Sequence, residues 1–100
     1  MLKHIVMWKL KEDLAEGKEE NALLMKKYLE ALPEKVSVIR SLEVGININP
    51  SGAAYDVVLY SEFADEQDLE TYQKHPEHVQ VGEFVGRITV SRVVVDYFAA

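Results

Sequence analysis

The sequence predicts an α+β fold in the order β-α-β-β-α-β, a split β-α-β arrangement with a four-stranded antiparallel sheet and helices on one face. Three observations carry this. Four segments have strand character, three by alternation of side chains and one by a β-branched run. Two stretches between them have helical spacing, one ahead of a proline and one interrupted by a His-Pro pair. Two of the strands are apolar on both faces at their centres, so each is covered from two sides.

The first strand spans Lys3 to Lys11. One parity carries His4, Val6, Trp8 and Leu10; the other carries Ile5 and Met7 between lysines. Glu12 to Glu20 is acidic and polar, and a helix follows with Ala22, Met25, Leu29 and Leu32 in one stripe and Tyr28 beside it. The acidic front suits the positive helix end, the Gly17 region is its expected start, and Pro33 stops it. Val38 to Ile48 alternates as an edge strand, with Val38, Leu42, Val44, Ile46 and Ile48 on the buried side. Asn49-Pro50-Ser51-Gly52 is a turn by its chemistry, and Tyr55 to Phe63 is the strand it leads to, giving a hairpin. Asp65 caps the next helix, which carries Leu69 and Tyr72. The residue before a proline avoids the helical region, so the chain bends at His75, and Pro76 opens a further helix through Val79, Glu83 and Phe84 to about Gly86. Thr89 to Phe98, centred on Val93-Val94-Val95, is the last strand.

Composition narrows the function. At 100 residues the chain is one domain, 1–100, and its 48% apolar and 28% charged content is that of a globular protein. Eleven basic against seventeen acidic side chains give a net charge of −6, which repels nucleic acid and anionic membrane. No apolar run approaches the ~20 residues a bilayer needs, and no signal peptide opens the chain, so a cytoplasmic location is expected. With no cysteine there is no disulfide, thiol catalysis or thiolate metal site. The helices cover one sheet face and nothing in the chain is left for the other. A second copy packed sheet to sheet is the expected answer, a homodimer.

The stretches Lys3-His4-Ile5-Val6-Met7-Trp8-Lys9, Arg40 to Asn47, Tyr72 with His75-Pro76-Glu77-His78-Val79, and Val94-Val95-Asp96-Tyr97 resemble the stress-responsive dimeric α/β-barrel (Dabb) family over nearly the whole chain. The resemblance implies a ferredoxin-like fold and a dimer whose two sheets form one barrel. Most such proteins have no assigned activity. One plant member is a polyketide cyclase that closes a ring by aldol condensation without a cofactor, and another is a heat-stable stress protein. The cyclase's tyrosine and histidine fall on Tyr72 and His78, and its first-strand histidine on His4. A third histidine of the cyclase falls near Val57, so the pocket is less polar here. Related dimeric barrels include haem-degrading oxygenases with an Asn–Trp–His set. Trp8 stands beside His4 without a matching Asn and reads as core, so no cofactor is expected.

His78 sits at about the third position of the helix opened by Pro76, where the positive helix end keeps imidazole neutral and fit to act as a general base. Tyr72, six residues earlier, can polarise a carbonyl as charge builds on its oxygen. The pair is therefore a candidate for proton abstraction next to a carbonyl, as a cofactor-free cyclase or isomerase. A Tyr72–His78 hydrogen bond that staples two helical segments explains the spacing equally. His4 is either a hydrogen-bonded core residue or part of a pocket wall, and His75 is either a helix cap or a solvated end. His75 and His78 stand three apart, but Pro76 breaks the register and no carboxylate completes a set, so no metal is expected. The other reading is a non-enzymatic dimer that binds a small apolar ligand or serves as a scaffold. A cavity lined by Tyr72, His78, His4, Val6, Trp8, Val81 and Phe84 favours enzyme or binder; Trp8 and Phe84 filling that space favours scaffold.

Overall fold

Alternation along β1 (Leu2–Leu10) sends Leu2, His4, Val6, Trp8 and Leu10 to one face, where all five are buried, while Lys3, Ile5, Met7 and Lys9 take the other. The computed structural model describes every residue from Met1 to Ala100. β1 pairs antiparallel with β3 (Val57–Phe63) on one side and with β4 (Thr89–Phe98) on the other. β2 (Ser41–Ile46) closes the far edge against β3, and the order β2-β3-β1-β4 is the expected split arrangement with β1 and β3 in the middle.

Three helices and a short 3-10 turn lie on the face that carries His4 and Val6. α1 spans Lys18–Glu30, and Gly17 precedes it at φ 82°, a backbone setting that glycine adopts without strain. Pro33 lies in the first turn of the 3-10 segment Leu32–Glu34; its missing N–H ends α1 before it. α2 (Glu66–Lys74) is capped by the Asp65 carboxylate, which accepts from the Asp68 N–H at 2.8 Å. α3 (Pro76–Ile88) begins after His75 turns extended at φ −64°, ψ 135°. The His75 Nδ1 accepts from the Glu77 N–H at 3.1 Å, so His75 is the helix cap its position suggests. Met25, Leu29, Leu32, Phe63, Leu69, Tyr72, Val85 and Ile88 fill the space between helices and sheet. No helix is long and apolar enough to cross a membrane.

Several boundaries move. The second strand is shorter than Val38–Ile48, because its ladder with β3 runs only from Ser41 opposite Glu62 to Ile46 opposite Val57. Ile48 is 98% exposed rather than buried. Beyond Ile46 the Asn47 side chain donates to the Asn49 carbonyl at 2.8 Å and accepts from its N–H at 3.0 Å, a local turn that replaces the ladder. Tyr55 consequently lies in the connection and not in β3, and β2 and β3 are joined by a long loop rather than a tight hairpin. Asp56 anchors that loop: its N–H donates to the Trp8 carbonyl and its carboxylate accepts from the Leu10 N–H, both at 2.8 Å. α3 continues two residues past Gly86, and β4 has the expected bounds.

Candidate functional site

The bend at His75-Pro76 decides the site. It ends α2 just after Tyr72 and starts α3 just before His78, which brings the two rings to 4.4 Å between centroids, tilted by 54°. Tyr72 is fully buried, and its hydroxyl has no hydrogen-bond partner. The stapling hydrogen bond is therefore not formed; the two residues meet through their rings. Burial pushes the Tyr72 hydroxyl up to about 12, with the positive charge of Arg92 opposing it, so the phenol stays protonated around neutrality.

His78 is half-buried. Its Nδ1 lies 3.0 Å from the Gln73 carbonyl oxygen. A carbonyl only accepts, so Nδ1 carries the proton and Nε2 of the neutral ring carries the lone pair. Burial lowers the His78 pKa below its ordinary value; the Gln73 bond opposes this, and the nearby His4, Arg92 and His75 add to it. The neutral imidazole expected at a helix start is thus present, with burial as the leading cause.

Both rings border a cavity of about 160 Å³ between the sheet and the helices. Its floor is His4, Val6 and Trp8 of β1 with Leu59 of β3; Leu29, Val85, Gly82 and Gly86 line its helical side, and Thr89 and Arg92 its β4 end. His4 is buried, with its Nδ1 2.5 Å from the Asp96 carboxylate, the residue opposite it in the β1–β4 ladder. Its ring stands edge-on to Phe63 and Tyr72, 6.4 Å from each centroid. The structure thus brings His4, Val6, Trp8, Tyr72 and His78 together.

Val81 and Phe84 are not among them. They line a separate groove between α3 and the C-terminal end of α1, where the Phe84 ring meets Tyr28 edge-on at 5.2 Å. At 3.6 residues per turn, Phe84 lies about 120° around the helix from His78. The α3 residues that border the cavity with His78 are Gly82, Val85 and Gly86, at i+4, i+7 and i+8; Val81, at i+3, stands about as close around the helix, so spacing alone does not separate it from them. A Cβ built on Gly82 or Gly86 meets nothing within 4 Å, so these glycines leave space and do not allow the close helix–sheet approach that a helical glycine suggests. Gly45 does mark a close approach, since a Cβ there falls 3.0 Å from the Val58 side chain. Arg92, which sequence reasoning missed, shares the face of Trp8 because the β1–β4 register pairs the two.

The three histidines are each differently engaged, and no group of three His, Asp or Glu side chains is arranged to hold a metal ion. Trp8 is buried in the sheet face as part of the cavity floor.

Comparisons with known proteins agree with this architecture. The family model for the stress responsive A/B barrel domain matches residues 2–99. A dimeric protein of unknown function with a ferredoxin-like fold from Bacteroides fragilis is 44% identical, covering 96% of this chain and 93% of that one, with a TM-score of 0.82. A dimeric ferredoxin-like protein of unknown function from Thermobifida fusca superimposes with a TM-score of 0.83 at 18% identity over 96% of this chain and 88% of that one. A hydroxynitrile lyase from Passiflora edulis has a TM-score of 0.85 at 14% identity, over 99% and 93% of the two chains, and at that identity shares the fold alone. No curated protein matches the sequence. With the family model spanning all but the terminal residues and the strands in the ferredoxin-like order, the chain belongs to the stress responsive A/B barrel (Dabb) family.

Proposed function

We propose that this protein binds a small carbonyl compound in the cavity under α3 and moves a proton at the carbon next to the carbonyl, without a cofactor. The observation that carries this reading is the buried, unpartnered Tyr72 hydroxyl next to an imidazole whose pKa burial has lowered. A buried hydroxyl without a partner costs about 1–3 kcal/mol, and a ligand carbonyl removes that cost. His78 Nε2 takes the proton from carbon, the electron pair moves to the carbonyl oxygen, and Tyr72 donates to the oxyanion. Return of the proton to another carbon is an isomerisation; attack of the enolate on a second carbonyl of the same molecule closes a ring. The volume of about 160 Å³ sets the size of the ligand. A cavity of about 150 Å³ is known to hold benzene, so the buried part of the ligand is a single ring or its equivalent.

A carrier without turnover is the second reading, favoured by the apolar walls Val6, Trp8, Leu29, Leu59 and Val85. One experiment separates the two. Cyclohexanone is incubated with the protein in D2O, and loss of the α-hydrogen signal is followed by proton NMR. The rate is expected to rise in proportion to protein, and Tyr72→Phe to lower the catalysed part by about 10²-fold, the usual effect of losing one oxyanion donor. Binding of cyclohexanone with no gain in exchange favours the carrier; neither binding nor exchange refutes both.

We further propose that two copies pair through the sheet faces that lack helices. Met7, Val93, Val95 and Tyr97 on that face are 39%, 43%, 61% and 44% exposed, with Ile5 and Val58 between them. Each such side chain is worth about 1.5–3 kcal/mol when fully buried. Three of its polar residues are engaged with one another within the protomer: Lys3 binds the Tyr60 hydroxyl and, at 2.8 Å, the Glu62 carboxylate. The dimeric relatives support a homodimer. Val95→Asp puts an unpaired charge in the seam, and sedimentation equilibrium is expected to show a dimer for the wild type and a monomer for the variant; a wild-type monomer, or a dimer that Val95→Asp leaves intact, contradicts the pairing.

A further inference from the structure

At the β4 end of the cavity stands a solvent-exposed cation, Arg92, with no partner in the protomer. Arg92 lies on β4 opposite Trp8, on the face that carries His4 and Val6, and it borders the cavity with Tyr72 and His78. It forms no ion pair and no hydrogen bond, and it is the one lysine or arginine that borders the cavity. The acid four residues along the same face, Asp96, is engaged by His4 at 2.5 Å. Arg92 borders a cavity whose lining is half hydrophobic, in a chain of net charge −6. Its charge reaches the reacting groups, for it lowers the pKa of both Tyr72 and His78 as a lesser cause beside burial.

We propose that Arg92 is the anchor for a carboxylate on the ligand, so that the cavity takes a small keto acid or ring carboxylate in preference to a neutral ketone, which it binds more weakly. A planar guanidinium presents two parallel N–H groups to a carboxylate, and such bidentate pairs fix orientation as well as adding affinity. With the carboxylate at the β4 end, the ring fills the space left by Gly82 and Gly86, and the carbonyl is presented to Tyr72 and His78. The orientation rests on the proton-transfer reading above; the binding of a carboxylate does not.

Benzoate and its neutral isostere benzamide are titrated into the dimeric wild type by calorimetry, with chemical-shift mapping of the Arg92, His78 and Tyr72 signals. Benzoate is expected to bind about tenfold or more tightly than benzamide, as a charge-assisted pair implies. Arg92→Gln brings the ratio toward one, and Arg92→Lys keeps part of it. In the exchange reaction, 4-oxocyclohexanecarboxylate is expected to have a KM about tenfold below that of cyclohexanone, with Arg92→Gln acting on that KM ratio and not on the ratio of kcat values. Equal binding of benzoate and benzamide, no binding of either, or a benzoate preference that survives in Arg92→Gln overturns the assignment. Carboxylate-selective binding with no proton exchange refutes the catalytic reading and leaves the anchor standing.

Discussion

Phe63→Ala is expected to cost about 3–5 kcal/mol, a large part of the roughly 5–15 kcal/mol that holds a domain of this size together. Phe63 is fully buried at the end of β3, with its ring 5.0 Å from that of Tyr72 and 6.4 Å from that of His4. Removing it deletes apolar burial and opens a void that rigid strands on one side cannot fill. Urea titration followed by circular dichroism reads the loss as a lower midpoint at nearly constant slope. The same ring supports the back of Tyr72, so any folded fraction of the variant is expected to have lost exchange activity as well. A cost under about 1 kcal/mol would show that the core tolerates the void and that Tyr72 is held by other contacts.

The second large effect is His78→Ala, expected to lower catalysed exchange by about 10²–10⁴-fold, the range for loss of a general base. The pH profile of the wild type carries the sign. In the proposed role His78 acts when neutral; burial lowers its pKa from the ordinary histidine value, so the rate is expected to stay on its plateau through neutrality and to fall only in more acid solution. Stability follows the same ionisation. The unfolded chain binds a proton on His78 near pH 6.5 and the folded chain resists it, so stability is full above that value and declines as pH falls below it. His78→Ala removes this part of the acid dependence. Exchange that is unchanged in His78→Ala would leave the cavity without its base.

The architecture was legible because it rests on spacing that side chains cannot evade. Alternation in Lys3–Lys11, the stripe Ala22–Met25–Leu29–Leu32 and the His75-Pro76 break each impose one local geometry, and the order of the elements then leaves few ways to pack them. Strand ends were less legible. Ile48 continues the alternation of β2, yet Asn47 and Asn49 close a turn on themselves and leave Ile48 in solvent, a competition between side-chain and ladder hydrogen bonds that periodicity does not register. In the site, Tyr72 and His78 were singled out by the family resemblance together with their relation to Pro76, while Val81 and Phe84, also expected in the cavity, line a separate groove. Helical spacing from His78 reaches Val81 at i+3 as readily as Gly82 at i+4, and Gly82 and Gly86 line the cavity through what they lack. The unpaired state of Arg92 depends on which carboxylates fall near it across the sheet, and that is a property of the register.

The whole functional account stands on a histidine that is neutral at physiological pH and offers its Nε2 to the cavity. Long-range proton–nitrogen NMR of the wild type, titrated from pH 8 to pH 4, measures both properties without any substrate. The account predicts that His78 is the Nδ1–H tautomer and titrates below the ordinary histidine range. An Nε2–H tautomer, or a His78 that protonates above about 6.5, would contradict it.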